Sequence, residues 1–126
     1  MKLVSVEDIE LLHMQIIDAS SGMHGVRDRE RLKGIVEQVV QEVFGMELYP
    51  SIYDKSASLM FGIIMYHPFP DGNKRTGILS ALLLLNLNNI DTGTIKDQEL
   101  EDFAVKVAVE NLEVPKIATW LKKHSA

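Results

Sequence analysis

Between His67 and Arg75 the chain reads His-Pro-Phe-Pro-Asp-Gly-Asn-Lys-Arg. An imidazole, a carboxylate, an amide, a glycine and two cations fall within a few residues of one another. Amides at the start of a helix have no partners inside it, and the helix dipole favours negative charge there. Gly72 can take the positive-φ conformation that a tight entry into a helix needs. With Gly72, Asn73, Lys74 and Arg75 at such a start, the stretch offers oriented amides, a dipole and two cations. That is an anion site, and phosphate is the anion it suits. Asp71 is a hard oxygen ligand of the kind that holds Mg²⁺ beside substrate phosphates. An imidazole can take up a proton near neutral pH, so His67 beside a bound phosphate would deprotonate an attacking hydroxyl. Phe69 is apolar between polar neighbours and is expected to anchor the loop in the core and fix His67.

Each residue alone has a plainer explanation. A histidine at a helix end is usually a cap or a surface residue, Asp-Gly-Asn is a common turn, and Lys-Arg is a solvated helix end. The set is another matter: six such positions coincide by chance about once in 10⁷ windows or fewer at typical residue frequencies.

The elements that must position this stretch lie on either side of it. Ala57–Tyr66 before it and Ile78–Leu87 after it are apolar on all faces, so the spacing predicts two helices buried in the middle of the domain, joined by the polar loop. The first runs from about Ile52 to Tyr66 and is stopped by Pro68; the second starts at about Gly72 or Asn73 and ends near Asn88-Asn89. Around them the helical period recurs. Ser5, with Asp8 as a capping-box partner, opens a helix through Val6, Ile9, His13 and Ile16 that ends at Ser20-Ser21-Gly22. Asp28 opens a helix with an apolar stripe of Leu32, Ile35, Val36, Val39, Val40 and Val43, in which Gly34 would mark a close helix contact. Phe44–Ser51 reads as a loop. Asp97 caps a fifth helix carrying Leu100, Phe103, Ala104 and Val107, and Pro115 starts a sixth that buries Ile117, Trp120 and Leu121. The expected architecture is all-α, one domain over residues 1–126 with about six helices.

The totals narrow the function. The chain has 126 residues, no cysteine and a net charge of −5, which predicts no disulfide framework and no thiolate zinc site, and argues against direct nucleic-acid binding. No stretch approaches the roughly 20 apolar residues that span a bilayer, and the N-terminus turns acidic too soon for a signal peptide. A soluble cytoplasmic protein is expected.

The pattern His67-x-Phe69-x-Asp71-Gly72-Asn73-x-Arg75 resembles the signature loop of the Fic/Doc superfamily, whose all-helical fold places that loop between two central helices. Lys74 stands where Fic adenylyltransferases carry glycine, and Ile78 where they carry a second arginine. Lysine at position 74 and the short chain resemble the Doc (death on curing) toxins. The similarity is strong over residues 55–87 and weaker elsewhere. The resemblance implies that His67 is the general base, that Asp71 holds Mg²⁺, and that Gly72, Asn73, Lys74 and Arg75 cradle the phosphates of ATP. It also implies transfer of the γ-phosphate to a threonine of elongation factor Tu, with inhibition of translation, and restraint by a Phd-like antitoxin. Many Fic proteins carry an inhibitory Ser/Thr-x-x-x-Glu-Gly/Asn motif; here Glu110-Asn111 is preceded by Lys106 in the hydroxyl position, so that device is absent. Met46 and Tyr49 would belong to a flap that lines up a target segment. The alternatives are a Fic-like transfer of AMP to a protein hydroxyl and a silent module that binds nucleotide or antitoxin. A metal-dependent phosphohydrolase ranks below both, because the four histidines show no ligand-pair spacing.

Overall fold

The computed structural model describes residues 1–126. Six helices follow in order: α1 (Val6–Asp18), α2 (Arg29–Gln38), α3 (Ile52–Tyr66), α4 (Asn73–Leu87), α5 (Asp97–Glu110) and α6 (Val114–His124). Between α2 and α3 lies a small antiparallel hairpin, β1 (Glu42–Val43) and β2 (Met46–Glu47). Side chains fix where the first helices begin. Ser5 Oγ accepts from the Asp8 amide at 3.1 Å while the Asp8 carboxylate accepts from the Ser5 amide at 2.9 Å, the reciprocal cap expected from the sequence. Ser51 and Asp54 repeat the arrangement at α3, and Asp28 caps α2 through the Arg31 amide at 3.0 Å.

The all-round apolar character of α3 and α4 has its explanation in two cores. Ala57, Met60 and Ile64 of α3, with Ile78, Ala81, Leu82 and Leu85 of α4, face a cluster completed by α5 and α6. Leu59 and Ile63 of α3, with Leu84 of α4, face a second cluster built with Ile9 of α1 and Leu32 and Ile35 of α2. Neither central helix has a face left for solvent along most of its length. They approach closely at Gly77, where an added Cβ would lie 2.7 Å from Ile64 Cγ1. No helix is long and apolar enough to cross a membrane.

The structure departs from the sequence expectations at several points. The apolar stripe of α2 does not continue to Val43: the helix ends at Gln38, Val39 is still buried, and Val40 and Val43 are exposed. Gly34 marks no close contact, since nothing lies within 4 Å of a Cβ there. The close approach onto α2 occurs instead at Gly62, where a Cβ would lie 2.6 Å from Ile35 Cγ2. The segment read as a loop from Phe44 onward holds the hairpin, whose two-residue turn places Phe44 at φ 52° and Gly45 at φ 77°. Two successive positive φ values form the type I′ turn that matches strand twist, but Phe-Gly lacks the Asn-Gly signal that would have announced it. The N-cap of α5 is Lys96, with Asp97 as the first helical residue. Trp120 is only partly buried, stacked on Phe103 at 3.9 Å and on His124 at 4.0 Å.

Candidate active site

The loop between α3 and α4 is tied at almost every residue. At its start, Arg31 of α2 donates to the Tyr66 carbonyl at 2.8 Å, and the amides of Arg27 and Asp28 both donate to the Pro68 carbonyl, at 2.9 and 3.0 Å. Between these anchors His67 caps α3 in the left-handed region, at φ 50° and ψ 61°. Pro68 does exclude His67 from the helical region, as the sequence predicts, but into the left-handed rather than the extended one. That conformation costs about 1–2 kcal/mol for a non-glycine residue, and the flanking carbonyl bonds offset it. The imidazole itself is exposed.

Phe69 is fully buried in the core shared with α1 and α2, the anchor anticipated from its apolar character. Asn73 is the clasp. Its Oδ1 accepts from the Phe69 amide at 3.1 Å and its Nδ2 donates to the Phe69 carbonyl at 2.9 Å. The Asn73 side chain is therefore turned inward and is not a phosphate contact; its role is to close the loop on itself. Nδ2 also lies 3.4 Å from His67 Nδ1. An amide donor at Nδ1 leaves the proton of the neutral ring on Nε2. Because 3.4 Å is at the weak limit for such a bond, an exposed ring can turn and present an unprotonated nitrogen to an incoming hydroxyl.

Gly72 adopts φ 76° as the N-cap of α4, with no side-chain cap. Its amide is not free, as the sequence suggested, but donates to Asp71 Oδ1 at 2.9 Å. The first intrahelical bond runs from the Thr76 amide to the Gly72 carbonyl at 2.9 Å, so the amides of Asn73, Lys74 and Arg75 are the unpaired ones. Lys74 and Arg75 are exposed and form no ion pair. Free amides, a helix N-terminus and two unpaired cations stand together, as an anion site requires.

A cleft of about 410 Å³ opens against this helix start. Asp71 to Arg75 form one wall, continued along α4 by Ile78 and Leu79. Facing them is α5, with Asp97, Leu100, Glu101, Ala104 and Val105; no sequence signal tied α5 to the loop. His67 is not part of the lining and stands beside the cleft through its contact with Asn73.

Asp71 is exposed, and its carboxylate keeps capacity for a cation. Oδ1 accepts from Gly72 and Oδ2 from the Met23 amide at 3.2 Å, which leaves a lone-pair site on each oxygen. No three acidic, histidine or cysteine side chains cluster as a preformed metal cage. A lone carboxylate completed by substrate phosphates and water is the arrangement Mg²⁺ accepts, so the residues fit that ion.

Two buried polar residues escaped the sequence reading, one against the loop and one beneath the hairpin. His13 of α1 is 3 % exposed, stacks on the Phe69 ring at 3.9 Å with 7° between planes, and bonds through Nε2 to the Asp71 carbonyl at 2.9 Å. Lys55 of α3 is 2 % exposed. Its ammonium donates to Glu47 of β2 at 3.0 Å and to the Tyr49 carbonyl, so it holds the hairpin that carries Met46. Met46 itself is exposed and Tyr49 is half-buried. His13 occupies an apolar period position and Lys55 lies at the edge of an apolar run; nothing local marked either.

With this geometry in view, the comparisons with known proteins are specific. The model of the Fic/DOC family matches residues 3–85. Over 109 residues the chain is 31% identical to a protein named Toxin Doc from Mycolicibacterium smegmatis, covering 86% of this chain and 84% of that protein. Over 123 residues it is 30% identical to a protein named Protein kinase doc from Escherichia phage P1, covering 98% of this chain and 95% of that one.

Proposed function

The chain belongs to the Fic/DOC family, in its Doc-toxin branch, and from that premise we propose that it is a cytoplasmic toxin kinase that moves the γ-phosphate of ATP to a hydroxyl of a protein. The observation that carries the reading is the wall of unpaired amides and cations at the start of α4, with Lys74 at its centre. A glycine at that position would let a phosphate settle against the backbone; a lysine fills the space and adds a point charge. The arrangement favours a terminal phosphate at the anion site.

In this reading the backbone amides of Asn73, Lys74 and Arg75 and the two cationic side chains orient the γ-phosphate and stabilise the charge that gathers on its oxygens. Asp71 would hold Mg²⁺, which supplies charge neutralisation on the phosphates. The target hydroxyl loses its proton to His67 as its oxygen bonds to the γ-phosphorus. The bond from phosphorus to the β–γ bridging oxygen breaks, and ADP leaves. Met46 and Tyr49 belong to the hairpin segment that would align the target strand. The target is taken to be a threonine of elongation factor Tu, with arrest of translation as the consequence and a Phd-like antitoxin as the restraint.

The experiment is incubation of the protein with elongation factor Tu and ATP labelled at either the α- or the γ-phosphorus. Label from the γ position on the factor is expected. Label from the α position would make the protein an AMP transferase of the Fic kind, and no label from either would leave a binding module.

A further inference from the structure

His13 is buried against the Asp71–Gly72 peptide and takes no part in the cleft lining. We infer that His13 is a positioning residue that locks this peptide plane, and through it fixes the direction of the Asp71 carboxylate and of the amides that follow. The inference rests on the reading of the loop as a seat for Mg²⁺ and phosphate.

A peptide that precedes glycine is prone to flip, because glycine accepts φ of either sign. Here both ends of that peptide are held. Its carbonyl, on Asp71, accepts from His13 Nε2 at 2.9 Å. Its N–H, on Gly72, donates to Asp71 Oδ1 at 2.9 Å. A flip would break both bonds and turn the carboxylate with them. The His13 ring is held in its turn: it stacks on Phe69 at 3.9 Å, and α1 lies so close that a Cβ on Gly72 would meet Ile17 Cδ1 at 3.2 Å and the imidazole at 3.8 Å. Donation to a carbonyl requires the proton on Nε2. The bond spans 58 positions of sequence, so α1 contributes to the site a constraint that the loop cannot supply for itself.

The test uses the full chain and two variants. His13→Phe keeps the ring stack and removes the donor; His13→Gln restores an N–H donor without the ring. Calorimetry with Mg-ATP and the amide resonance of Gly72 are the readouts. His13→Phe is expected to melt close to wild type, to shift the Gly72 resonance, and to bind Mg-ATP about tenfold more weakly. His13→Gln is expected to recover most of the binding. A long-range nitrogen–proton spectrum of the wild type should show the His13 proton on Nε2, which needs no variant to fold. Wild-type binding and an unmoved Gly72 resonance in His13→Phe would overturn the inference, and so would a wild-type ring protonated on Nδ1 and not on Nε2. A wild type that binds no Mg-ATP at all would instead overturn the proposed function, and the Gly72 resonance and the tautomer would still decide the role of His13.

Discussion

Two segments flank α3 in the chain, and they are built in contrary ways. The stretch from Tyr66 to Arg75 is fastened by Asn73, His13, Met23, Arg27, Asp28 and Arg31, and its phenylalanine is in the core. The hairpin from Glu42 to Glu47 exposes nearly every side chain, and its phenylalanine stands in solvent at the turn. What holds it to the body is Lys55. Chemistry on phosphate requires groups fixed to a fraction of an ångström; the alignment of a protein strand requires an edge that can adapt. The difference between the segments is a difference in the number of tertiary bonds per residue.

The largest expected effect concerns the reactive end of the fastened loop. His67→Ala should lower phosphate transfer by a factor of about 10²–10⁴ while leaving the melting curve unchanged, because the ring is exposed; a steady-state transfer assay beside thermal denaturation checks it. The two phenylalanines come next. Phe69→Ala should destabilise the protein by about 3–5 kcal/mol, measured by denaturant unfolding, and Phe44→Ala should change stability by less than about 0.5 kcal/mol. Equal costs would erase the contrast between loop and hairpin.

Lys55 divides stability from function. Glu47→Gln removes the carboxylate facing a buried ammonium and should cost about 1–3 kcal/mol. Lys55→Met exchanges the buried charge for an apolar side chain and should leave stability near wild type, while amide hydrogens of residues 42–48 exchange faster and the KM for the protein target rises without change in the KM for ATP. A KM for ATP that rose equally would mean that the hairpin is not a separate unit. The last effect is a gain. Phe44→Asn places a residue tolerant of positive φ where Phe44 has φ 52° and should raise stability by about 0.5–1 kcal/mol.

The features legible in the sequence were those that neighbouring residues determine. Ser5 with Asp8, Pro68 after an apolar run, and Gly72 ahead of two cations each act within a few positions, so the bounds of α1, α3 and α4 could be read directly. Phe69 as an anchor followed from polarity alone. What escaped notice depends on contacts between distant segments. Nothing near His13 distinguishes it from another apolar-face residue, since its partner is Asp71. The Gly72 amide seemed free because helix geometry leaves it so, yet the preceding carboxylate claims it. Nothing local marks the Asn73 side chain as the clasp of the loop, because both its polar atoms bind the Phe69 backbone. The hairpin was hidden because a phenylalanine occupies the turn position where asparagine is the usual signal.

Backbone amide shifts of the 126-residue chain, followed as Mg-ATP is added, test the central claim most directly. The account predicts that the largest changes fall on Asn73, Lys74 and Arg75, with Asp71 following and Glu42–Glu47 nearly still. Changes centred on the hairpin, or none along the first turn of α4, would contradict it.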